Sequence, residues 1–132
     1  MLVVPWNNFG HTLLYVEMDV FLMQKIYKLY SLDNNFIEES ESLPNNFTGI
    51  ICYSNGTKRW LKNGLLHRID GPAIDLLDGY KEWYVDGKQH RIDGPACEYS
   101  DGSKYWWVND KQVTELQCKL LCDMMKLKGL LK

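Results

Sequence analysis

The stretch Leu66-His67-Arg68-Ile69-Asp70-Gly71-Pro72-Ala73 returns as Gln89-His90-Arg91-Ile92-Asp93-Gly94-Pro95-Ala96, identical at seven of eight positions, after a step of 23 residues. The same step joins Trp60, Trp83 and Trp106, then Gly56, Gly79 and Gly102, then Lys58, Lys81 and Lys104. Self-similarity at a fixed period marks stacked copies of one supersecondary unit. Residues 50–72, 73–95 and 96–115 read as three copies, the third carrying Val113-Thr114-Glu115 where the others have His-Arg-Ile.

Each copy holds an Asx-Gly pair between alternating apolar and polar residues: Asn55-Gly56, Asp78-Gly79 and Asp101-Gly102. Such pairs fit a two-residue type I′ hairpin turn. That loop length sets Leu77 opposite Tyr80 and Ile74 opposite Trp83, and the side-chain period of two then sorts the faces. One face is expected to carry Ile51, Tyr53, Trp60, Ile74, Leu76, Trp83, Val85, Cys97, Tyr99, Trp106 and Val108. The other is expected to carry Cys52, Arg59, Leu61, Asp75, Glu82, Tyr84, Glu98, Tyr105 and Trp107. A further tight turn at Asp86-Gly87 sets Arg91 opposite Glu82, and the same register sets Arg68 opposite Arg59. The result is one antiparallel meander of about six strands, whose apolar side needs cover.

The two ends supply that cover. Thr114-Glu115-Leu116-Gln117 is a capping-box start for a helix running to Lys128, with Gly129 as its stop. Leu116, Leu120, Met124 and Leu127 form its stripe at helical spacing, with Leu121 and Met125 beside it. Residues 18–32 show a similar pattern through Val20, Phe21, Met23, Ile26, Tyr27 and Tyr30, and residues 12–16 fit a short strand. The expected fold class is α+β: an antiparallel β-meander of three 23-residue hairpin repeats, covered by N- and C-terminal helices. Within one domain, residues 1–32 form a strand/helix cap, 33–49 an acidic polar linker (Asp33, Glu38, Glu39, Glu41), 50–115 the repeats and 116–132 the amphipathic helix.

Composition sets the outer bounds. The chain has 132 residues, 45% hydrophobic and 24% charged, which suits one ordinary globular domain. A net charge of −2 argues against nucleic acid as a partner. No apolar run is long enough to span a bilayer. No Lys or Arg precedes Lys25, and Glu17 and Asp19 interrupt the apolar start, so a signal peptide is not expected and the compartment reads as cytoplasmic. The glycosylation patterns at Asn46 and Asn55 are then idle. Cys52, Cys97, Cys118 and Cys122 show neither a disulfide framework nor a C-x-x-C pair, and Cys118 and Cys122 read as buried thiols. Aromatic residues reach 13%, with five Trp and eight Tyr.

The unit resembles the MORN-like repeat class, hairpins of this length with Gly at the turns and aromatics along the strands. The order His-Arg-x-Asp-Gly-Pro-Ala, Asp-Gly-x-x-x-Trp, Asn/Asp-Gly-x-x-His-Arg resembles repeats found in proteins of tailed bacteriophages and giant viruses. Asn109-Asp110-Lys111-Gln112-Val113-Thr114-Glu115 before a helix is similar to the end of such arrays. The likeness covers residues 50–115, about half the chain. It implies an interaction scaffold, and in its most concrete form a small viral accessory protein. That protein would bind a host protein in the host cytoplasm, a defence factor for example, and inhibit or redirect it.

The repeated His67-Arg68 and His90-Arg91 pairs support two readings. They form a basic strip that grips a carboxylate or phosphate, Arg binding it bidentately, or they brace an Asp-Gly-Pro turn and pair with an acid on the next strand. The ladder of Trp60, Trp83 and Trp106 reads as core. Tyr84, Tyr105 and Trp107 lie on the mixed face, where Tyr, Trp and Arg are the residue types that anchor protein interfaces. No nucleophile elbow or phosphate loop occurs, and His67 with His90 lacks two further zinc ligands. The lysines of the last helix, Lys119, Lys126, Lys128 and Lys132, complement its dipole.

The expectation is a non-enzymatic protein-interaction module with no catalytic residue, cofactor or metal and no membrane contact. Its partner site is Arg68, Arg91, His67, His90, Tyr84, Tyr105 and Trp107. Two alternatives stay open: a nucleotide- or anion-binding sponge built on the His-Arg pairs, and a repeat that self-assembles into homo-oligomers through its edge strands.

Overall fold

The computed structural model describes residues 27–131. Twelve strands precede one helix. They are β1 (Tyr27–Tyr30), β2 (Phe36–Ser40), β3 (Gly49–Cys52), β4 (Lys58–Lys62), β5 (Leu65–Leu66), β6 (Ile74–Asp75), β7 (Lys81–Glu82), β8 (Tyr84–Val85), β9 (Lys88–Gln89), β10 (Cys97–Glu98), β11 (Lys104–Val108) and β12 (Lys111–Val113). The helix is α1 (Glu115–Leu127). Ten strands form one antiparallel sheet in the order β12-β11-β10-β7-β6-β4-β3-β1-β2, with β5 pairing β4, while β8 and β9 form a separate ribbon. The architecture is thus α+β in the broad sense, a large antiparallel sheet with one C-terminal helix.

The step of 23 reappears in the hydrogen bonding. At the first Asx-Gly pair of each copy, Tyr53, Leu76 and Tyr99 donate to the carbonyls of Thr57, Tyr80 and Ser103, and accept from Gly56, Gly79 and Gly102. Only the glycines have positive φ (82°, 95° and 88°), and the Asx side chains accept the N–H two residues on. These are three-residue loops, a type I turn closed by a glycine bulge, and not the expected type I′ turns. The one-residue difference slips the register, so Ile74 lies opposite Glu82 and not Trp83. The type I′ turns are at Asn63-Gly64, Asp86-Gly87 and Asn109-Asp110, where both central residues have positive φ. There the expected register holds, with Tyr84 opposite Gln89.

The slip re-sorts the faces. Cross-strand partners run Leu29, Ile51, Arg59, Ile74, Glu82, Cys97, Tyr105 in one row. The expected apolar residues of one hairpin arm therefore share a face with the expected polar residues of the other. The neighbouring row runs Lys28, Cys52, Lys58, Asp75, Lys81, Glu98, Lys104, alternating in sign from Lys58 onward. Opposite charges side by side favour this register over a slipped one. The core is thin and follows the sheet: Leu29, Ile50, Ile51, Ala73, Ile74, Ala96 and Cys97 are buried.

Copies join through a second recurring set. The Arg68 N–H donates to the Tyr84 carbonyl and Gly87 to that of Leu66. One step later Arg91 donates to Trp107 and Asp110 to Gln89. Before the first copy, Gly64 donates to the Phe47 carbonyl and Asn63 to the Thr48 hydroxyl, so residues without the motif make the equivalent bonds. After the last copy, α1 takes over.

Two expectations at the front need correction. Tyr27–Tyr30, expected as the end of a helix over residues 18–32, is strand β1, held between β2 and β3. Its four residues find partners on both sides, which outweighs a weak helical period. Residues 33–49, expected as a linker, contain β2. The remainder of the expected N-terminal helix and the short strand at 12–16 lie outside the described residues.

At the C-terminus the capping box forms as read. The Thr114 hydroxyl accepts the Gln117 N–H, and the Gln117 side chain accepts that of Thr114. The buried face differs from the expected one. Cys118 and Cys122 face the sheet, and the stripe of Leu116, Leu120, Met124 and Leu127 faces away. The Cys118 thiol points at the carbonyls of Ile92 (3.3 Å) and Arg91 (3.5 Å), an approach that only a small side chain permits. No helix among the described residues is long and apolar enough to cross a membrane.

Candidate functional site

The His-Arg pairs are built into the frame. The Arg68 guanidinium lies 4.0 Å from the Trp60 ring centroid and that of Arg91 4.2 Å from Trp83. Arg68 Nε donates to Asp70 Oδ1 (2.9 Å) and Nη1 to the Pro72 carbonyl (3.3 Å), and Arg91 repeats this on Asp93 (2.9 Å) and Pro95 (3.2 Å). A methyl group on Gly71 or Gly94 would sit within 2.9 Å of the guanidinium carbon, so the glycine backbone closes the side away from the ring. The acid facing Arg91 across the sheet is Glu98, at 3.6 Å, and not Glu82. The hydrogen bond from Arg68, and then its charge, hold the Asp70 carboxyl below the usual carboxylate range.

The histidines link copies. His67 Nδ1 accepts the Asp86 N–H (3.0 Å) and lies 2.9 Å from that residue's carboxylate, while His90 Nδ1 accepts from Asn109 (3.2 Å). Trp60 and Trp83 are half-buried under their arginines. Trp106 is half-buried too, but with no arginine it lines a cleft of about 530 Å³ beside α1, together with Cys118 and Cys122.

The aromatic residues gather on the face of Ile74 and Cys97. Tyr99 packs edge-on against Tyr80 (4.9 Å) and Tyr105 (5.7 Å). Toward the other end, Tyr27 packs against Tyr53 (5.2 Å), and Arg59 lies over Tyr53. Burial, with hydrogen bonds to Glu82 and Cys97, pushes the Tyr80 phenol far up. Burial also raises Tyr84, and the Glu82 charge adds to it. Tyr99 and Tyr105 reach solvent at 45% and 43% exposure. Trp107 shares the Tyr105 side of β11 by strand alternation.

Of the residues expected at a partner site, Tyr84, Tyr105 and Trp107 come together on this face. Arg68, Arg91, His67 and His90 are engaged with their own chain. The sequence reading missed Tyr53, Tyr80 and Tyr99. The signal was the hairpin register, since counting a three-residue loop puts Tyr80 on the face of Ile74, where the pairing of β7 with β10 sets it beside Tyr99. Burial raises the Cys52, Cys97 and Cys118 thiols, which keeps them protonated and unreactive near neutral pH. Among the described residues no group of three or more His, Cys, Asp or Glu could hold a metal ion. No protein-family model matches the chain, nor does any curated protein or solved structure at a significant level.

Proposed function

We propose that the chain is a non-enzymatic protein-interaction module whose contact surface is the tyrosine face centred on Tyr80, Tyr99 and Tyr105. The observation that carries this reading is the cluster itself. Three tyrosines pack edge-on with two of them open to water. Tyrosine offers large, rigid, amphipathic contact area at small entropic cost, which is why it anchors interfaces. A core would have covered these rings. The arrangement of the copies, read as three MORN-like hairpin units, serves to present this face. By its likeness to viral repeat proteins, the module belongs to an accessory protein that binds a host protein, such as a defence factor, and inhibits or redirects it.

The arginine strip is the weaker candidate because each guanidinium is stacked on a tryptophan and already holds an Asp carboxylate and a Pro carbonyl of its own turn through Nε and Nη1. The test is affinity capture from natural-host lysate, read by mass spectrometry, with wild type beside Tyr99→Ala/Tyr105→Ala and Arg68→Ala/Arg91→Ala. One stoichiometric protein is expected with wild type and is lost from the tyrosine variant alone. Equal capture by the tyrosine variant, or heat from a nucleotide titration with no captured protein, overturns the reading.

A further inference from the structure

Helix α1 has two apolar sides, and the sheet takes the smaller one. On the far side Leu116, Leu120, Met124 and Leu127 are 66, 54, 49 and 89% exposed. At helical geometry they fall within an arc of about 80°. Scattered single apolar residues on a surface need no explanation, whereas a continuous stripe on a 13-residue helix does.

Along one flank of this stripe run Glu115, Lys119, Asp123 and Lys126, all exposed, with signs −, +, −, +. Read backwards, that series is its own complement. When two copies of a helix lie antiparallel, like flanks meet. Glu115 then faces Lys126 of the second copy, and Lys119 faces Asp123, each pair occurring twice by symmetry. A parallel pair would set this flank against the other one, which offers Gln117 and Lys128 and gains nothing comparable. The antiparallel pair also places opposite ends of the two helix dipoles together. The flank borders the open cleft beside Trp106, which leaves it accessible.

We propose that α1 is a self-association helix. Two copies of this chain join in an isologous, antiparallel pair through Leu116, Leu120, Met124 and Leu127, with the flanking charges fixing the direction. The helix packs on the Lys104 and Trp106 side of β11, so pairing leaves the tyrosine faces of both copies free. A contact of about 20 Å along the helix lies at the small end of stable interfaces, so dissociation is expected on the order of micromolar.

Sedimentation velocity over a concentration series tests this. The samples are wild type, Glu115→Lys/Asp123→Lys, Lys119→Glu/Lys126→Glu, and an equimolar mixture of the two double variants. Wild type is expected to dimerise as concentration rises. Each double variant makes its flank single-signed and should dimerise at least about tenfold more weakly. Their mixture should recover a dimer, a result that loss of folding cannot imitate. A wild type that stays monomeric throughout overturns the proposal, as does a dimer constant that neither double variant moves.

Discussion

Asp70 shows how much a single side chain contributes to this frame. Its carboxylate receives Arg68 Nε at 2.9 Å, and its pKa is lowered by that bond. A carboxyl lowered on folding adds stability above its unfolded pKa of about 4, and that stability is lost as pH falls through the folded value. Stability of the wild type is therefore expected to decline in acid over that range. Asp70→Asn should flatten this part of a pH series of urea midpoints while lowering the neutral plateau. Arg68→Ala should remove the same limb and cost about 2 kcal/mol in addition, through the lost ring stacking and the Pro72 bond. A variant with an unchanged acid limb would show that the pair is idle. The sequence made the pairing of Arg with an acid legible but not the choice of acid, because Asp70 lies only two residues from Arg68, within a turn that strand registers do not describe.

Elements show where sequence patterns divide and where they mislead. Asn55-Gly56 and Asn63-Gly64 are the same dipeptide, yet one closes a three-residue loop and the other a two-residue turn. The deciding contacts are long-range: Asn63 accepts its place by donating to Thr48, and Gly56 lies under the Leu77 side chain. Glycines of similar φ therefore sit in different surroundings. At Gly102, with φ of 88° and open space around it, Ala should cost about 1 kcal/mol, from the left-handed backbone alone. At Gly56 the new Cβ would fall 2.3 Å from Leu77 Cδ1, but Leu77 is 82% exposed and its side chain can swing aside, so Ala should again cost about 1 kcal/mol. A markedly larger loss of denaturant midpoint at Gly56 would show that Leu77 is held in place over the turn. Helix α1 carries a similar lesson. Its start was legible at Thr114 and Gln117, since capping is local chemistry. Its buried side was legible in part: Cys118 and Cys122 read as buried thiols and are buried, whereas Leu116 and Leu120 outrank them in hydrophobicity and were expected to face the sheet with them.

For the whole molecule the consequence is that each copy touches only its neighbours. Stability in such an arrangement is a sum of local terms and adjoining interfaces. Thr114→Ala/Gln117→Ala, which unmakes both capping bonds, should cost about 1 kcal/mol of helix stability. Amide exchange is expected to quicken in α1 and near Gly94 and Trp106 while Ile50 and Ile51 keep their protection. Uniform loss across the sheet would instead indicate one cooperative block. The antiparallel sheet and the closing helix were legible from residues 50–128. The front of the sheet was not, because Phe47 and Thr48 reproduce the joining bonds without any of the motif residues.

Those joining bonds have a corollary for the length of the array. What Leu66, His67 and Arg68 offer to the following copy is what Gln89, His90 and Arg91 offer to the next, and Thr48 and α1 merely close the two ends. The backbone bonds are alike at both seams, while His67 meets an aspartate, Asp86, and His90 an asparagine, Asn109. Copy number is accordingly a free parameter: a gene that gained or lost one 69-nucleotide segment would encode a longer or shorter ribbon with every seam intact, so surface length can evolve in quanta while the backbone chemistry of each step stays constant.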